Sequence, residues 1–232
     1  GRVIDQDIDT TVARLVEQLG GLSAIVPAGS RVMVKPNFVF PPTDRGITHA
    51  VLVEAVVRLV SQAAPAEIVI AEGSADVYTG QAFRFMGMNR VAARYGARLA
   101  DLNLEEGVRK PVPAGLGREF LMVPRSVAEC DVFISLPIFK LWGNSPLSLS
   151  LKNLIGLYGG RYYGYNHDSK ARADVPWYAL PGDVGELDGA HQPDVSSAIV
   201  AQNCVVPTHL AIVDALEGGD GRGNYLRLDT LV

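Results

Sequence analysis

Arg31-Val32-Met33-Val34-Lys35, closed by Pro36-Asn37, is the stretch on which the fold turns. It is short, rich in β-branched residues and apolar at successive rather than alternate positions, and it ends in a proline that cannot donate to a strand ladder. A run of that kind is buried on both faces, which belongs to a parallel sheet covered on both sides. Four further runs repeat the pattern: Glu67 to Ala71 (EIVIA), Ala97 to Ala100 leading into Asp101, Asp131 to Leu136 (DVFISL) and His209 to Val213 (HLAIV). Between them lie helical signals. Ile8, Val12, Leu15, Val16 and Leu19 recur at helical spacing before Gly20; an apolar run from the expected N-cap Thr48 reaches Ala64; Gln81 to Tyr95 stops at Gly96. Strands alternating with helices make βαβ units, so the sequence predicts an α/β fold with a largely parallel or mixed sheet flanked by helices. Val108 to Met122 reads as an antiparallel insertion or edge hairpin. Residues 158–188, rich in Gly, Tyr, Asp and Pro, read as a lid or mobile insertion.

The chain has 232 residues, 48% hydrophobic and 20% charged, which suits one α/β domain over residues 1–232. A net charge of −4 and a pI near 5.6 argue against nucleic acid or an anionic membrane surface as partner. The longest apolar runs fall short of a membrane span, and no signal peptide precedes Arg2, so a cytoplasmic protein is expected. Cys130 and Cys204 are the only cysteines and form no C-x-x-C pair. This chain alone is therefore not expected to hold an iron–sulfur cluster or a cysteine zinc site. Cys130, just ahead of an apolar run, reads as a small core residue.

The chemistry gathers where the strands end. The first run ends in Lys35-Pro36-Asn37, the second in Glu72-Gly73-Ser74, the third in Asp101 and the fifth in Asp214, and Lys140 follows the fourth. Ligands of open parallel sheets bind outside the carboxyl ends of the strands; charged residues also collect there because strands end at the surface. Lys152-Asn153 interrupts the apolar segment Leu-Ser-Leu-Lys-Asn-Leu-Ile-Gly. A lysine so placed either snorkels outward or is committed to an anion or carboxylate. Glu217 to Asn224, glycine-rich, reads first as a flexible solvent turn and second as a backbone cradle; it is neither a Walker loop nor a dinucleotide fingerprint. His49 suits an anion, a metal or plain solvation, and His209 at a strand start reads as structural. His167 and His191 add no zincin spacing, and the absence of G-x-S-x-G leaves a serine hydrolase without support.

The order of these motifs, Val34-Lys35-Pro36-Asn37, Thr48-His49, Ala71-Glu72-Gly73-Ser74, Asp101-Leu102, Leu136-Pro137-x-x-Lys140, Leu151-Lys152-Asn153-Leu154-x-Gly156 and Ile212-Val213-Asp214, resembles domain-of-unknown-function family 362 from about residue 6 onward. The resemblance implies that Lys35, Asn37, His49, Glu72, Lys140, Lys152, Asn153 and Asp214 match the family's pattern. Many members carry a ferredoxin-like iron–sulfur module, which implies redox chemistry in them. That module is absent from this sequence. Lys140-Leu141-Trp142 stands where the family pattern reads Lys-x-His, and at Val232, where another strand and helix are expected, the sequence stops.

The expected function is an enzyme acting on a small anionic metabolite, bearing carboxylate or phosphate, by proton transfer of the isomerase or lyase kind. Lys35, Glu72, Lys140 and Asp214 are the catalytic candidates; Asn37, His49, Lys152 and Asn153 are the substrate-binding ones. No metal ligand set is assigned and the cofactor is left unknown. The alternatives are a redox enzyme using a bound organic cofactor or a partner's cluster, and a non-catalytic metabolite-binding or accessory subunit. A homodimer is among the assemblies open to the chain.

Overall fold

The computed structural model of the protein describes residues 7–39, 46–75, 78–142, 145–163, 195–220 and 225–227. Five strands, β1 (Arg31–Pro36), β2 (Glu67–Glu72), β3 (Arg98–Asp101), β6 (Val132–Leu136) and β9 (Leu210–Ala211), make one sheet in the order β3-β2-β1-β6-β9. Every pairing within it is parallel. Helices cover both faces, so the chain is an α/β protein with a mostly parallel central sheet.

The register shows why the apolar runs are continuous. Val32, Val34, Ile68, Ile70, Val132 and Ile134 face one core layer with helices α1 (Ile8–Gln18), α3 (Ala50–Ser61) and α5 (Met88–Tyr95). Met33, Val69, Ala71 and Phe133 face the other, against the 3-10 turn Leu154–Leu157 and helix α9 (Val195–Val205). Alternate residues of one strand thus enter two different cores.

From β1 the chain steps outward through β2 to β3, and then returns to lay β6 along the other side of β1. The crevice between β1 and β6 is therefore the topological switch point, where ligands of such sheets bind. Beyond it, β6 continues through Pro137 into β7 (Ile138–Trp142), and β9 continues into β10 (Asp214–Asp220). The parallel β6–β9 pair is renewed as a parallel β7–β10 pair. With β8 (Ser145–Ser148) and β11 (Tyr225–Arg227) these strands form a second sheet, ordered β11-β10-β7-β8, past the carboxyl rim of the first. β4 (Gly107–Pro111) and β5 (Phe120–Pro124) form the expected antiparallel hairpin.

The structure corrects four local expectations. Thr48 does not cap α3; His49 occupies that position, and the Thr48 hydroxyl donates instead to Leu136 O at 2.6 Å while accepting Asn37 N–H at 2.8 Å. The helix expected over 81–95 is two, α4 (Thr79–Phe85) and α5, broken at Gly87, whose φ of +71° is left-handed and suits glycine. Glu217 to Asp220 is not a turn but part of β10, paired with β7 and β11; residues 221–224 lie outside the described residues. Finally, the segment expected to be a lid begins as core. Tyr158, Tyr162 and Tyr163 are buried, and their hydroxyls bond Ala198 O, Gly107 N and Met122 N. Residues 164–188 of that expectation lie outside the described residues.

Candidate functional site

Lys35 is the last side chain that β1 sends toward the Met33 face, and it cannot reach water: it is 1% exposed. A buried ammonium must be paired and hydrogen-bonded. Its Nζ lies 2.6 Å from Glu72 Oε1 and donates to Asn153 Oδ1 and to Pro36 O, each at 3.0 Å. Glu72 is equally enclosed: Oε1 also accepts Gly73 N–H at 2.8 Å, and Oε2 accepts Phe38 N–H at 2.8 Å. Burial nevertheless lowers the Lys35 pKa, and Glu72 only partly offsets it.

Asn153, from the short helix α7 (Ser150–Asn153), closes the switch-point crevice. Its Nδ2 donates to Lys35 O on β1 at 3.2 Å and to Ser135 Oγ on β6 at 3.0 Å, while Oδ1 takes the Lys35 ammonium and Asn37 Nδ2 at 3.3 Å. Gly156 then passes directly over the ion pair. A Cβ there would stand 2.6 Å from Glu72 Oε1 and 2.7 Å from Lys35 Nζ, so only glycine fits. This gives the Leu-Lys-Asn-Leu-x-Gly segment its physical meaning: the asparagine clamps two strands and the glycine leaves room for two charges.

Lys140, on β7, approaches Asn37 from the second sheet. Its Nζ donates to Gly46 O at 2.9 Å and Asn37 Oδ1 at 3.4 Å. Burial, chiefly, lowers its pKa to about 8; Glu72 resists the fall, while the charges of Lys152 and Lys35 add to it. Lys152 is half-buried on α7, its pKa lowered by desolvation, and it makes no hydrogen bond or ion pair among the described residues.

His49 and Asp214 form a second unit. Asp214 begins β10, where its backbone N–H donates to Pro137 O at 2.8 Å. Its Oδ2 accepts His49 N–H at 2.7 Å and lies 2.8 Å from His49 Nδ1, and Oδ1 accepts Leu216 N–H at 3.2 Å. The unit joins the lysine network through Thr48, which exchanges backbone and hydroxyl hydrogen bonds with Asn37.

Lys35, Asn37, Glu72, Lys140 and Asn153 thus form one connected network; Lys152 adjoins it through its charge, and His49 with Asp214 through Thr48. Sequence reasoning left Ser135 out of the candidate set, and Thr48 and Gly156 too, although both stood in the quoted motifs. Ser135 carried a signal, as the polar residue inside an apolar strand. Asp101 was noted at a strand end but left out of the candidate set; burial raises its pKa to about 6 against hydrogen bonds from Asn103 N and the Thr79 hydroxyl. Among the described residues no cluster of three His, Cys, Asp or Glu side chains could hold a metal ion.

The opposite end of the sheet differs in kind. A cleft of about 280 Å³ there is lined by residues including Arg31, Glu67, Arg98, Arg125 and Glu129. Its arginines and glutamates pair with one another, as Arg98 with Glu67 at 2.7 Å and Arg31 with Glu129 at 3.3 Å. Cys130, also at this end, has its thiol pushed up to about 11 by burial, the behaviour of an inert packing residue. His209 is structural too, its Nδ1 accepting Phe133 N–H at 3.1 Å.

The family model described as "Domain of unknown function (DUF362)" matches residues 32–227, and the chain belongs to that family. A thylakoid-associated protein of Synechocystis sp. (strain ATCC 27184 / PCC 6803 / Kazusa), sll1697, is 26% identical over 200 residues. The match covers 77% of this chain and 58% of that relative, so the chain spans little more than half the relative's length. Among the described residues no helix is long and apolar enough to cross a membrane.

Proposed function

With membership of that family as premise, we propose that the chain is an enzyme that moves a proton on a small anionic metabolite at the switch-point crevice, with Lys140 as the base. The observation that carries this reading is Lys140 itself. It is 4% exposed, held by Gly46 O and Asn37, and its pKa of about 8 makes the neutral amine accessible near neutral pH. A base performs best when its pKa lies near the working pH. Lys152 supplies an ammonium with no carboxylate of its own among the described residues, suited to the substrate's carboxylate or phosphate. Lys35, Glu72 and Asn153 take a different role here: their polar atoms are spent on one another, so they hold the crevice rather than exchange protons. The acidic pI speaks against nucleic acid or an anionic surface as the partner, and a cytoplasmic location is part of this proposal.

The test is carbon-bound deuterium uptake in D2O, using malate, citrate, 2-oxoglutarate and 3-phosphoglycerate as probes and NMR as readout. At least one acid should exchange, with a rate that rises with pH and levels off above about 8, and Lys140→Met should abolish it. If anions raise the melting temperature while the wild type exchanges none of the four, the protein is a binding module and the enzymatic reading fails.

A further inference from the structure

We infer that Ser148 and Lys152 form the seat for a ligand's carboxylate, with the Ser148 hydroxyl on one oxygen and the Lys152 ammonium on the other. The inference deepens the reading of the crevice above and rests on it for the anion, not for the proton transfer. The observation behind it is a hydroxyl with nothing to bond. Ser148 is 6% exposed. Other buried serines are satisfied: Ser30 donates to Pro27 O at 2.7 Å, Ser74 to Phe38 O at 2.7 Å and Ser126 to Glu105 Oε1 at 2.5 Å, while Ser135 Oγ accepts from Asn153 Nδ2 at 3.0 Å. The Ser148 side chain makes no hydrogen bond among the described residues. Enclosing an unpaired hydroxyl costs free energy that an alanine would not, so such a group calls for a partner the chain does not itself supply.

Strand register turns that hydroxyl toward the crevice. Ser148 on β8 stands opposite Lys140 on β7. Residues opposite each other on antiparallel strands share a face, with Cβ atoms about 5 Å apart. The face is the one from which Lys140 reaches Asn37 Oδ1 and Gly46 O. Leu141 and Leu147, one residue away on each strand, are 40% and 46% exposed. Alternation along the two strands therefore separates an inward polar pair from an outward apolar one.

Past Ser148 the chain turns into α7, which carries Lys152 and Asn153. Asn153 ties that helix across β1 and β6 through Lys35 O and Ser135 Oγ. Lys152 is thereby held over the crevice, half-buried, with its charge acting on the Lys140 ammonium and no hydrogen bond or ion pair of its own among the described residues. One hydroxyl and one ammonium match the two oxygens of a carboxylate. A phosphate would leave its third terminal oxygen without a donor from this pair. The ammonium supplies the charge and the hydroxyl, fixed on a strand, supplies the direction.

Calorimetric titration with malate, citrate, 2-oxoglutarate and 3-phosphoglycerate, each repeated in the presence of inorganic phosphate, tests this. At least one acid should bind the wild type, and phosphate should not displace it. Ser148→Ala should weaken that acid roughly 10- to 100-fold, the scale of a hydrogen bond to a charged group. It should melt within about 2 °C of the wild type, because no bond within the chain is lost. Ser148→Thr restores a hydroxyl and should recover most of the affinity. Because both groups hold one carboxylate, the losses in Ser148→Ala and Lys152→Met should not add in the double variant. Unchanged affinity in Ser148→Ala, displacement by phosphate, or a melting temperature several degrees lower would overturn the inference and leave the Lys140 reading standing. If an acid binds but none exchanges deuterium, the Lys140 reading falls while Ser148→Ala still decides the seat. If the wild type binds none of the four acids, the seat is overturned.

Discussion

Replacing Lys35 by methionine isolates the buried ion pair from everything around it. Methionine retains most of the stem's volume and removes only the ammonium. Glu72, 2% exposed, would keep the Phe38 and Gly73 N–H donors but lose the charge 2.6 Å away, and Asn153 Oδ1 and Pro36 O would each lose a donor. Deleting one partner of a buried pair costs about 3–5 kcal/mol, because the other charge is stranded. In a domain of this size 1 kcal/mol moves the melting temperature by about 2–4 °C, so Lys35→Met should melt roughly 6–20 °C lower. Circular dichroism melts and urea titrations at pH 7 measure this directly. The double variant Lys35→Met/Glu72→Gln removes both charges and should be clearly more stable than the sum of the two single losses. A fall of under about 3 °C for Lys35→Met, or strict additivity in the double variant, would refute the account of Lys35 and Glu72 as a structurally committed pair.

Lys152→Met should behave in the opposite way. With no described partner to strand, it should shift stability by less than about 0.5 kcal/mol while weakening anion binding by roughly 1.5–3 kcal/mol, measured calorimetrically; unchanged affinity would leave Lys152 as a snorkelling side chain. Gly156→Ala forces a methyl into the 2.6–2.8 Å gaps above Lys35 and Glu72 and should cost about 1–3 kcal/mol in a thermal melt, whereas Gly80→Ala, with nothing near its Cβ, should be close to neutral. Asp101 gives a pH signature. Its folded pKa of about 6 lies above the ordinary value of 3.8, so the folded state holds the extra proton and stability from this group is lost as pH rises from about 4 through 6. Asp101→Asn should flatten that decline and be more stable than wild type by about 3 kcal/mol at pH 7, and a parallel stability–pH curve for the two proteins would contradict the assignment.

Much of the framework was legible along the chain because it depends on local pattern. Val32-Met33-Val34 and Val132-Phe133-Ile134 could be read as doubly buried strands from continuous apolarity, and the Val108 to Met122 hairpin was legible as a departure from it. Where the reading failed, a distant partner overrode a local preference. Thr48 has the chemistry of an N-cap, yet Leu136 O, 88 residues away in sequence, takes its hydroxyl. Glycines 218 and 219 look like a turn until β11 and β7 offer ladders to pair with. The tyrosines from 158 look like a polar loop until α9 and β5 bury their rings and satisfy their hydroxyls.

The sequence by itself determined that charged and amide side chains would stand at the carboxyl ends of parallel strands, because strand length and the period of the pleat fix where each run stops. Tertiary structure alone decided which of them would meet. Lys35, Lys140 and Lys152 are equivalent on paper. Strand order makes the difference: laying β6 beside β1 opens a crevice that Asn153 can close from 118 residues away, and that closure encloses Lys35 with Glu72 while leaving Lys152 half-exposed. The continuation of β6 and β9 into a second sheet brings Lys140 to Asn37 and Asp214 to His49. Burial then separates the three: Lys35, cut off from water, pairs with Glu72, Lys140 turns to Gly46 O and Asn37, and Lys152 stays half-exposed.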